Sequence, residues 1–125
     1  MSRTIGVPAL RPASAPSRRL SSRVQATGHV WAYWHCQGHD DLSPVRDMSI
    51  GGLFLETGKK RPAGMLTRLD FLVDEGQVRA DAVVRYVLPG TGLGLKFTAI
   101  NEKDRVKLAG LLMRLRRIHP AAELP

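Results

Sequence analysis

The sequence predicts a mainly β fold, a six-stranded antiparallel β-barrel with a C-terminal α-helix. Apolar residues recur at a period of two from Val24 onward, as in strands that bury one face. Clusters of Gly, Pro, Asp and Lys divide this pattern into short segments. Near the C-terminus the apolar period becomes helical. A set of short strands followed by one helix is typical of a closed or nearly closed barrel with the helix against one side or end.

The first predicted strand bends at Gly28, and its inward residues are expected to be Val24, Ala26, Val30, Ala32 and Trp34. Residues 37–41 read as a turn, and a short strand around Val45 leads into a loop at Asp47. Among the aromatic residues, Tyr33 is expected to oppose Trp31 and Trp34, so that at least one ring is exposed.

The later strands are predicted between three turn-forming segments, which cover residues 58–64, 74–76 and 89–92. The strands themselves are expected at residues 52–57, 66–73, 78–88 and 93–98. A helix then follows, capped by Asn101 and stopped by Pro120. Its predicted apolar face consists of Leu108, Leu111, Leu112, Leu115 and Ile118.

The length of 125 residues fits one domain. Residues 1–17 are rich in Pro, Ser, Ala and Arg and are expected to form a flexible basic tail, with an organelle transit peptide as the alternative. The barrel and helix are expected within residues 18–119, and residues 120–125 form a short C-terminal tail.

The formal net charge of +8 favours anionic partners such as nucleotides, nucleic acid or a membrane surface. The single cysteine, Cys36, excludes an intrachain disulfide and suits a reducing cytoplasm. We expect no membrane insertion, because no stretch approaches the roughly eighteen apolar residues of a membrane helix. No secretory apolar region follows the N-terminus, so a cytoplasmic protein is expected.

Two short strings carry the functional prediction. The first, RLSSR, places Arg19 and Arg23 four positions apart, and a planar guanidinium binds phosphate oxygens in pairs or lies flat on a purine. The second, DMSIGG, contains Asp47 and Ser49. An ionised carboxylate accepts two hydrogen bonds side by side, as the Watson-Crick edge of guanine would donate them, and a serine hydroxyl adds a donor. The glycines Gly51 and Gly52 let backbone approach a flat ring.

These strings resemble the motifs of the PilZ domain, RxxxR followed by D/N-x-S-x-x-G, and both motifs are intact here. The resemblance extends to the strand after the second motif and to the glycine-rich string GLGLKF at residues 92–97. It covers residues 18–118 and implies a receptor for cyclic di-GMP that transmits the signal to another protein. Carried over position by position, it implies that Arg19, Arg23, Asp47, Ser49 and Gly52 bind the ligand. Arg18 is a further candidate, for stacking on a second guanine.

Each candidate also has a simpler interpretation. The arginine cluster resembles a solvated basic junction, and Asp47 and Ser49 resemble a local Asx or Ser turn. Arg85 and Lys96 are more readily explained as outward-facing strand residues than as further phosphate contacts. It is the presence of both complete motifs, in order and at a suitable spacing, that favours the ligand site.

No metal site or enzyme is predicted. The residues around His35 and Cys36 form one cluster with one thiol, too few ligands for a structural zinc site. No nucleophile is accompanied by a recognisable base, and no phosphate-binding GxxxxGK motif is present. Two alternatives remain open: an adaptor of the same fold that acts through protein contacts, and a basic barrel that binds nucleic acid.

Overall fold

Seven antiparallel strands and one helix make up most of residues 22–120, which are the residues that the computed structural model describes. The strands are β1 (Val24–Gln25), β2 (Trp31–Cys36), β3 (His39–Ser49), β4 (Gly52–Glu56), β5 (Leu66–Val73), β6 (Gly76–Leu88) and β7 (Gly92–Ala99). The helix α1 covers Glu102–Ile118. The predicted tail at residues 1–17 and the last five residues lie outside the described part.

Six of the strands close into a barrel. The hydrogen-bonded order runs β3, β2, β5, β6, β7 and β4, and β4 then pairs back onto β3. The two-residue strand β1 pairs with the end of β3, where Val24 faces Met48 and Gln25 faces Asp47. The predicted six-stranded barrel with a C-terminal helix is therefore confirmed, and closure leaves most backbone groups of the sheet paired.

The first predicted strand is wrong in one respect, because the chain makes a full turn where only a bend was expected. The His29 amide donates to the Ala26 carbonyl at 2.9 Å, and Gly28 has a φ of 83°. This turn separates β1 from β2. A positive φ at that position is accessible to glycine without steric cost, which explains how a strand-like pattern continues across a reversal.

The predicted turn at residues 37–41 is much shorter in the structure. Gln37 and Gly38, with φ values of 51° and 77°, are the two loop residues of a hairpin, as a type I′ turn requires. β3 begins at His39 and continues to Ser49, so Asp47 lies in a strand and not in a loop. The polar residues at the start of β3 looked like turn residues because this part of the strand faces outward.

The interior of the barrel follows the predicted alternation. Trp34 is buried, and its indole N–H donates to the Ser43 hydroxyl at 2.9 Å. Trp31 and Tyr33 are about half exposed, at 52% and 48%. Tyr33 therefore shares the outer face with Trp31 and does not oppose it, because residues two apart lie on the same face of a strand. Cys36 is a buried free thiol.

The helix α1 packs on β6 and on β1 through its leucines, and Leu108, Leu111, Leu112 and Leu115 are buried. The Asn101 side chain accepts a hydrogen bond from the Asp104 amide at 2.8 Å, which confirms the predicted cap. Ile118 is 43% exposed, so the apolar face ends one turn earlier than expected. Among the described residues, none of the helical segments is long and apolar enough to cross a membrane.

Candidate functional site

The second sequence motif lies where β3 is flanked by two other strands. Asp47 faces Gln25 of β1 on one side and Phe54 of β4 on the other. The register between β3 and β4 shifts between Val45 and Asp47, which indicates a bulge. At this irregularity Asp47 is paired with Arg46 of β3 and with Arg23, which directly precedes β1.

The carboxylate of Asp47 pairs with two arginines. Arg23 Nε donates to Oδ1 at 2.6 Å, and Arg46 Nε donates to Oδ2 at 2.8 Å. Asp47 is only 2% exposed, so this carboxylate is largely withdrawn from water. A buried charge is tolerated when it is paired and hydrogen bonded, and here each oxygen has its own cationic donor. Asp47 thus holds two guanidinium groups in place in this structure.

Arg46 also contacts an aromatic ring. Its guanidinium carbon lies 3.9 Å from the centroid of the Phe54 ring, a cation–π distance. The Phe54 and Tyr86 rings are tilted against each other with centroids 6.2 Å apart. Tyr86 in turn covers Gly94, where an added Cβ would lie 2.2 Å from the ring. Glycine at this position therefore makes room for the tyrosine.

Ser49 and Gly52 have local structural roles. The Ser49 hydroxyl accepts a hydrogen bond from the Gly51 amide at 3.2 Å, as in the Ser turn that the sequence left open. A Cβ on Gly52 would lie 2.1 Å from the carbonyl oxygen of Leu95. Only glycine allows β4 and β7 to approach this closely, so Gly52 is needed for the barrel whether or not a ligand binds.

A surface cavity of about 270 Å³ lies between Arg23 and Tyr86. Its lining consists of Arg23, Gly51, Gly52, Arg85, Tyr86, Gly94, Leu95 and Lys96. Gly51 is the exposed glycine of this lining, whereas Gly52 and Gly94 are buried. Three cationic side chains, Arg23, Arg85 and Lys96, also line the cavity. Such a cavity attracts an anionic, planar ligand.

The cavity brings together some predicted residues and adds others. Arg23, Gly51 and Gly52 line it, whereas Arg18 and Arg19 lie outside the described residues. Arg85 and Lys96 are exposed, as the simpler interpretation held, and they also line this cavity. Tyr86 was missed by the sequence reasoning. The glycine-rich string at residues 92–97 is the signal that could have found it, because Tyr86 faces Gly94 of β7.

A larger surface groove, of about 580 Å³, lies on β2, β5 and β6 and contains none of the predicted site residues. At its edge Tyr33 donates a hydrogen bond to Asp40 at 2.6 Å, and His35 contacts the same carboxylate. The bond from Tyr33 raises the pKa of the phenol, and the bonds from Tyr33 and His35 lower the pKa of Asp40. Within residues 22–120 no three His, Cys, Asp or Glu side chains are grouped as metal ligands would be.

Comparison with known proteins decides the family. A family model of the PilZ domain matches residues 17–114, which is most of the chain and includes both motifs. The chain belongs to the PilZ domain family. No curated protein matches it with comparable significance.

Several solved structures share the PilZ fold seen here. The inhibitor of motility MotI/DgrA from Bacillus subtilis aligns with a TM-score of 0.67 and 19% identity, covering 80% of this chain and 51% of that one. The PilZ domain of CeSA from a cellulose-synthesizing bacterium gives 0.61 and 17%, covering 75% and 97%. The PilZ domain of YcgR from Escherichia coli, solved with c-di-GMP, gives 0.61 and 18%, covering 77% and 89%.

At these identities the comparisons establish a common fold. The PilZ chain described here spans about half the length of MotI/DgrA, and nearly the whole of the CeSA domain. The match therefore corresponds to one PilZ unit.

Proposed function

We propose that this PilZ chain is a receptor for cyclic di-GMP and that one base of the ligand, with its phosphates, binds at the cavity between Arg23 and Tyr86. The observation that carries this proposal is the grouping of Arg23, Arg85 and Lys96 around one cavity. The ligand has two phosphodiesters and two planar bases, which match three cations beside the exposed ring of Tyr86. The relative YcgR, solved with c-di-GMP, supports the ligand class.

In this proposal the phosphates bind the cations of the cavity. Arg23 pairs with Asp47 through its Nε, and within residues 22–120 its two terminal nitrogens have no hydrogen-bond partner, so they can donate to a phosphate. Arg85 and Lys96 line the same cavity and add charge there. One guanine lies beside the exposed Tyr86 ring, where aromatic stacking favours a base.

The role of Asp47 in the proposed complex differs from the one expected from sequence. Both carboxylate oxygens already accept from arginine Nε atoms, and the side chain is buried. A hydrogen bond to the guanine edge would require one arginine to leave. We therefore propose that Asp47 positions Arg23, while the direct guanine contact through Asp47 stays a prediction.

We further propose that the segment before Arg23 closes over the bound ligand. Arg19, and Arg18 beside it, would neutralise the second phosphate or stack on a base, and the ordered arm would create a surface for another protein. The chain would act by binding alone, without catalysis, and in the cytoplasm. Nuclear magnetic resonance can follow this step, because amide signals of residues 1–21 should shift and sharpen on titration with cyclic di-GMP.

Calorimetric titration of the full chain with cyclic di-GMP tests the receptor proposal and yields affinity and stoichiometry. We expect saturable binding that Arg23→Ala weakens at least about tenfold, since a charge-assisted phosphate contact is lost. Arg79→Ala is the matched control, because Arg79 lies in the groove on β2, β5 and β6. Absence of both heat and chemical-shift change with the wild-type chain would refute the receptor. A salt-sensitive gel shift with single-stranded DNA, unaffected by Arg23→Ala, would favour a nucleic-acid-binding barrel instead.

A further inference from the structure

Arg46 belongs to neither sequence motif, yet it is a tightly constrained cation next to the proposed site. Its Nε donates to Asp47 at 2.8 Å, and its guanidinium carbon lies 3.9 Å from the Phe54 ring centroid. The side chain is nevertheless 39% exposed. A hydrogen bond at one edge and a ring against one face fix the plane of the guanidinium. Since Phe54 covers one face and Asp47 one edge, the exposed fraction lies on the rest of the side chain, which includes the opposite face of the guanidinium.

The Phe54 ring against which Arg46 packs is itself held in place by its neighbours. Phe54 is fully buried although it is not part of the cluster of residues that fills the barrel. It is packed against Tyr86, and its ring edge lies so close to Gly92 that an added Cβ there would approach it to 2.6 Å. Because Phe54 cannot easily move, the arginine that lies on it keeps one orientation. Little rotamer entropy therefore remains to be lost when a ligand contacts Arg46.

The cavity is too small to hold a whole cyclic dinucleotide. At about 270 Å³ it falls below the roughly 300–1,000 Å³ of sites that enclose a drug-sized ligand. One base with its phosphates fits at the cavity, so the second base lies outside it. The carboxylate of Asp47, which holds Arg23 on one oxygen, holds Arg46 on the other. The guanidinium of Arg46 is therefore a planar cation that shares one carboxylate with Arg23 of the cavity lining.

From this arrangement we infer that Arg46 is a base-stacking residue, with one guanine of the ligand lying on its open face and Phe54 on the other. The inference rests on the proposed receptor function. A purine stacks on a guanidinium plane through dispersion and cation–π attraction, and a fixed plane makes that contact specific for flat ligands. Lysine, a compact point charge, cannot replace it.

The affinity test compares Arg46→Lys and Arg46→Ala with the wild-type chain by calorimetric titration with cyclic di-GMP. We expect Arg46→Ala to weaken binding by about tenfold and Arg46→Lys by nearly as much, because lysine keeps the charge but loses the plane. Arg79→Lys is the matched control and should stay within about twofold. If Arg46→Lys binds like the wild type, the stacking role is overturned. If the wild type itself does not bind, it is the receptor proposal that fails.

A second measurement distinguishes stacking of Arg46 on the ligand from a purely structural role, in which Arg46 only holds Asp47 in place. In the wild-type complex, nuclear Overhauser effects should connect the guanine H8 proton to the side-chain methylene protons of Arg46, and the Arg46 Nε–Hε signal should shift on binding. A saturated complex in which the Arg23 signals shift while Arg46 shows neither effect would overturn the inference, even if Arg46→Ala weakens binding.

Discussion

At the scale of single residues, the carboxylate of Asp47 organises the site. It is 2% exposed and accepts from two Nε atoms, so each arginine is held through its Nε. Within residues 22–120 the terminal nitrogens of both arginines have no hydrogen-bond partner. Two positive charges around one negative charge leave the site cationic overall. The ligand-free site is therefore suited to bind a dianion, because the ligand's negative charge neutralises the excess positive charge.

The substitution Asp47→Asn should distinguish the two roles considered for this residue, which are positioning of the arginines and direct contact with guanine. The asparagine side chain keeps the shape but removes the charge that holds Arg23 and Arg46, so we expect a loss of stability of about 1–3 kcal/mol and at least tenfold weaker ligand binding. If Asp47 only positions arginines, affinity for cyclic di-GMP and cyclic di-AMP should fall by the same factor. A loss confined to the guanine ligand would instead support a direct contact. Asp81→Asn is the control, because Asp81 is exposed and pairs loosely with Arg68 at 3.8 Å.

The neighbouring glycines Gly51 and Gly52 form a matched pair for a stability test. We expect Gly52→Ala to lower the free energy of unfolding by about 2–3 kcal/mol, because the new methyl group meets the Leu95 carbonyl at 2.1 Å. Gly51→Ala should cost less than about 1 kcal/mol, since its nearest neighbour is the Ser49 hydroxyl at 3.9 Å. Urea denaturation of both variants measures the difference. Equal stabilities would show that β4 and β7 can separate without cost.

At the scale of secondary-structure elements, polar side-chain contacts join α1 to the barrel near its start and in its later part. At its start Asp104 is buried and accepts from the Arg79 amide of β6 at 3.1 Å. Further along, Arg114 donates to both oxygens of Glu75, in the turn between β5 and β6, at 2.7 and 3.0 Å. A bidentate, partly buried pair of this kind contributes more than an ordinary surface ion pair.

The Glu75 pair should make stability depend on pH. The hydrogen bonds from Arg114 lower the pKa of Glu75 in the folded state. The contribution is therefore complete above the ordinary glutamate pKa of about 4.3 and is lost as the pH falls through the lower folded value. We expect Glu75→Gln to reduce stability by about 1–2 kcal/mol near pH 7, and the difference from wild type to shrink near pH 3. Denaturation curves at both pH values measure this. A difference independent of pH would contradict an ionic origin.

At the scale of the whole molecule, the closed barrel gives the chain two unlike surfaces. The side of β4, β7 and the end of β6 presents Arg23, Arg85 and Lys96 around one cavity. On the side of β2 and β5, acidic and basic residues pair with each other, as in Arg79 with Asp70 at 3.4 Å. Of these two surfaces, the one that bears the cavity is therefore the one that attracts anions.

The double change Arg85→Ala with Lys96→Ala should therefore weaken binding of cyclic di-GMP by about tenfold at low salt and by less at high salt, because screening reduces the contribution of exposed charges. Titrations at two ionic strengths measure both effects. The double change Arg68→Ala with Arg79→Ala removes the same charge from the other surface and serves as the control. Equal losses in the two double variants would mean that only net charge matters.

Much of this molecule could be predicted from the order of its residues. Period-two alternation predicts the buried face of each strand, and the two motifs predict that Arg23 and the Asp47 string meet. The errors have physical causes. Polar residues such as Asp40 suit an exposed strand face as well as a turn, and the glycine of the turn after β1 interrupts a strand without breaking its apolar pattern.

What the sequence alone determined is the family, the barrel with its helix, and the residue types available for an anionic purine ligand. Only the tertiary structure decided that Asp47 pairs with both Arg23 and Arg46. It also decided that Arg46 packs on Phe54 and that Phe54 packs against Tyr86. These residues come from different strands, and their contacts depend on a bulge in β3 and on the closure of the barrel. Local periodicity contains no information about such distances, because they arise when the sheet curves and distant strands become neighbours.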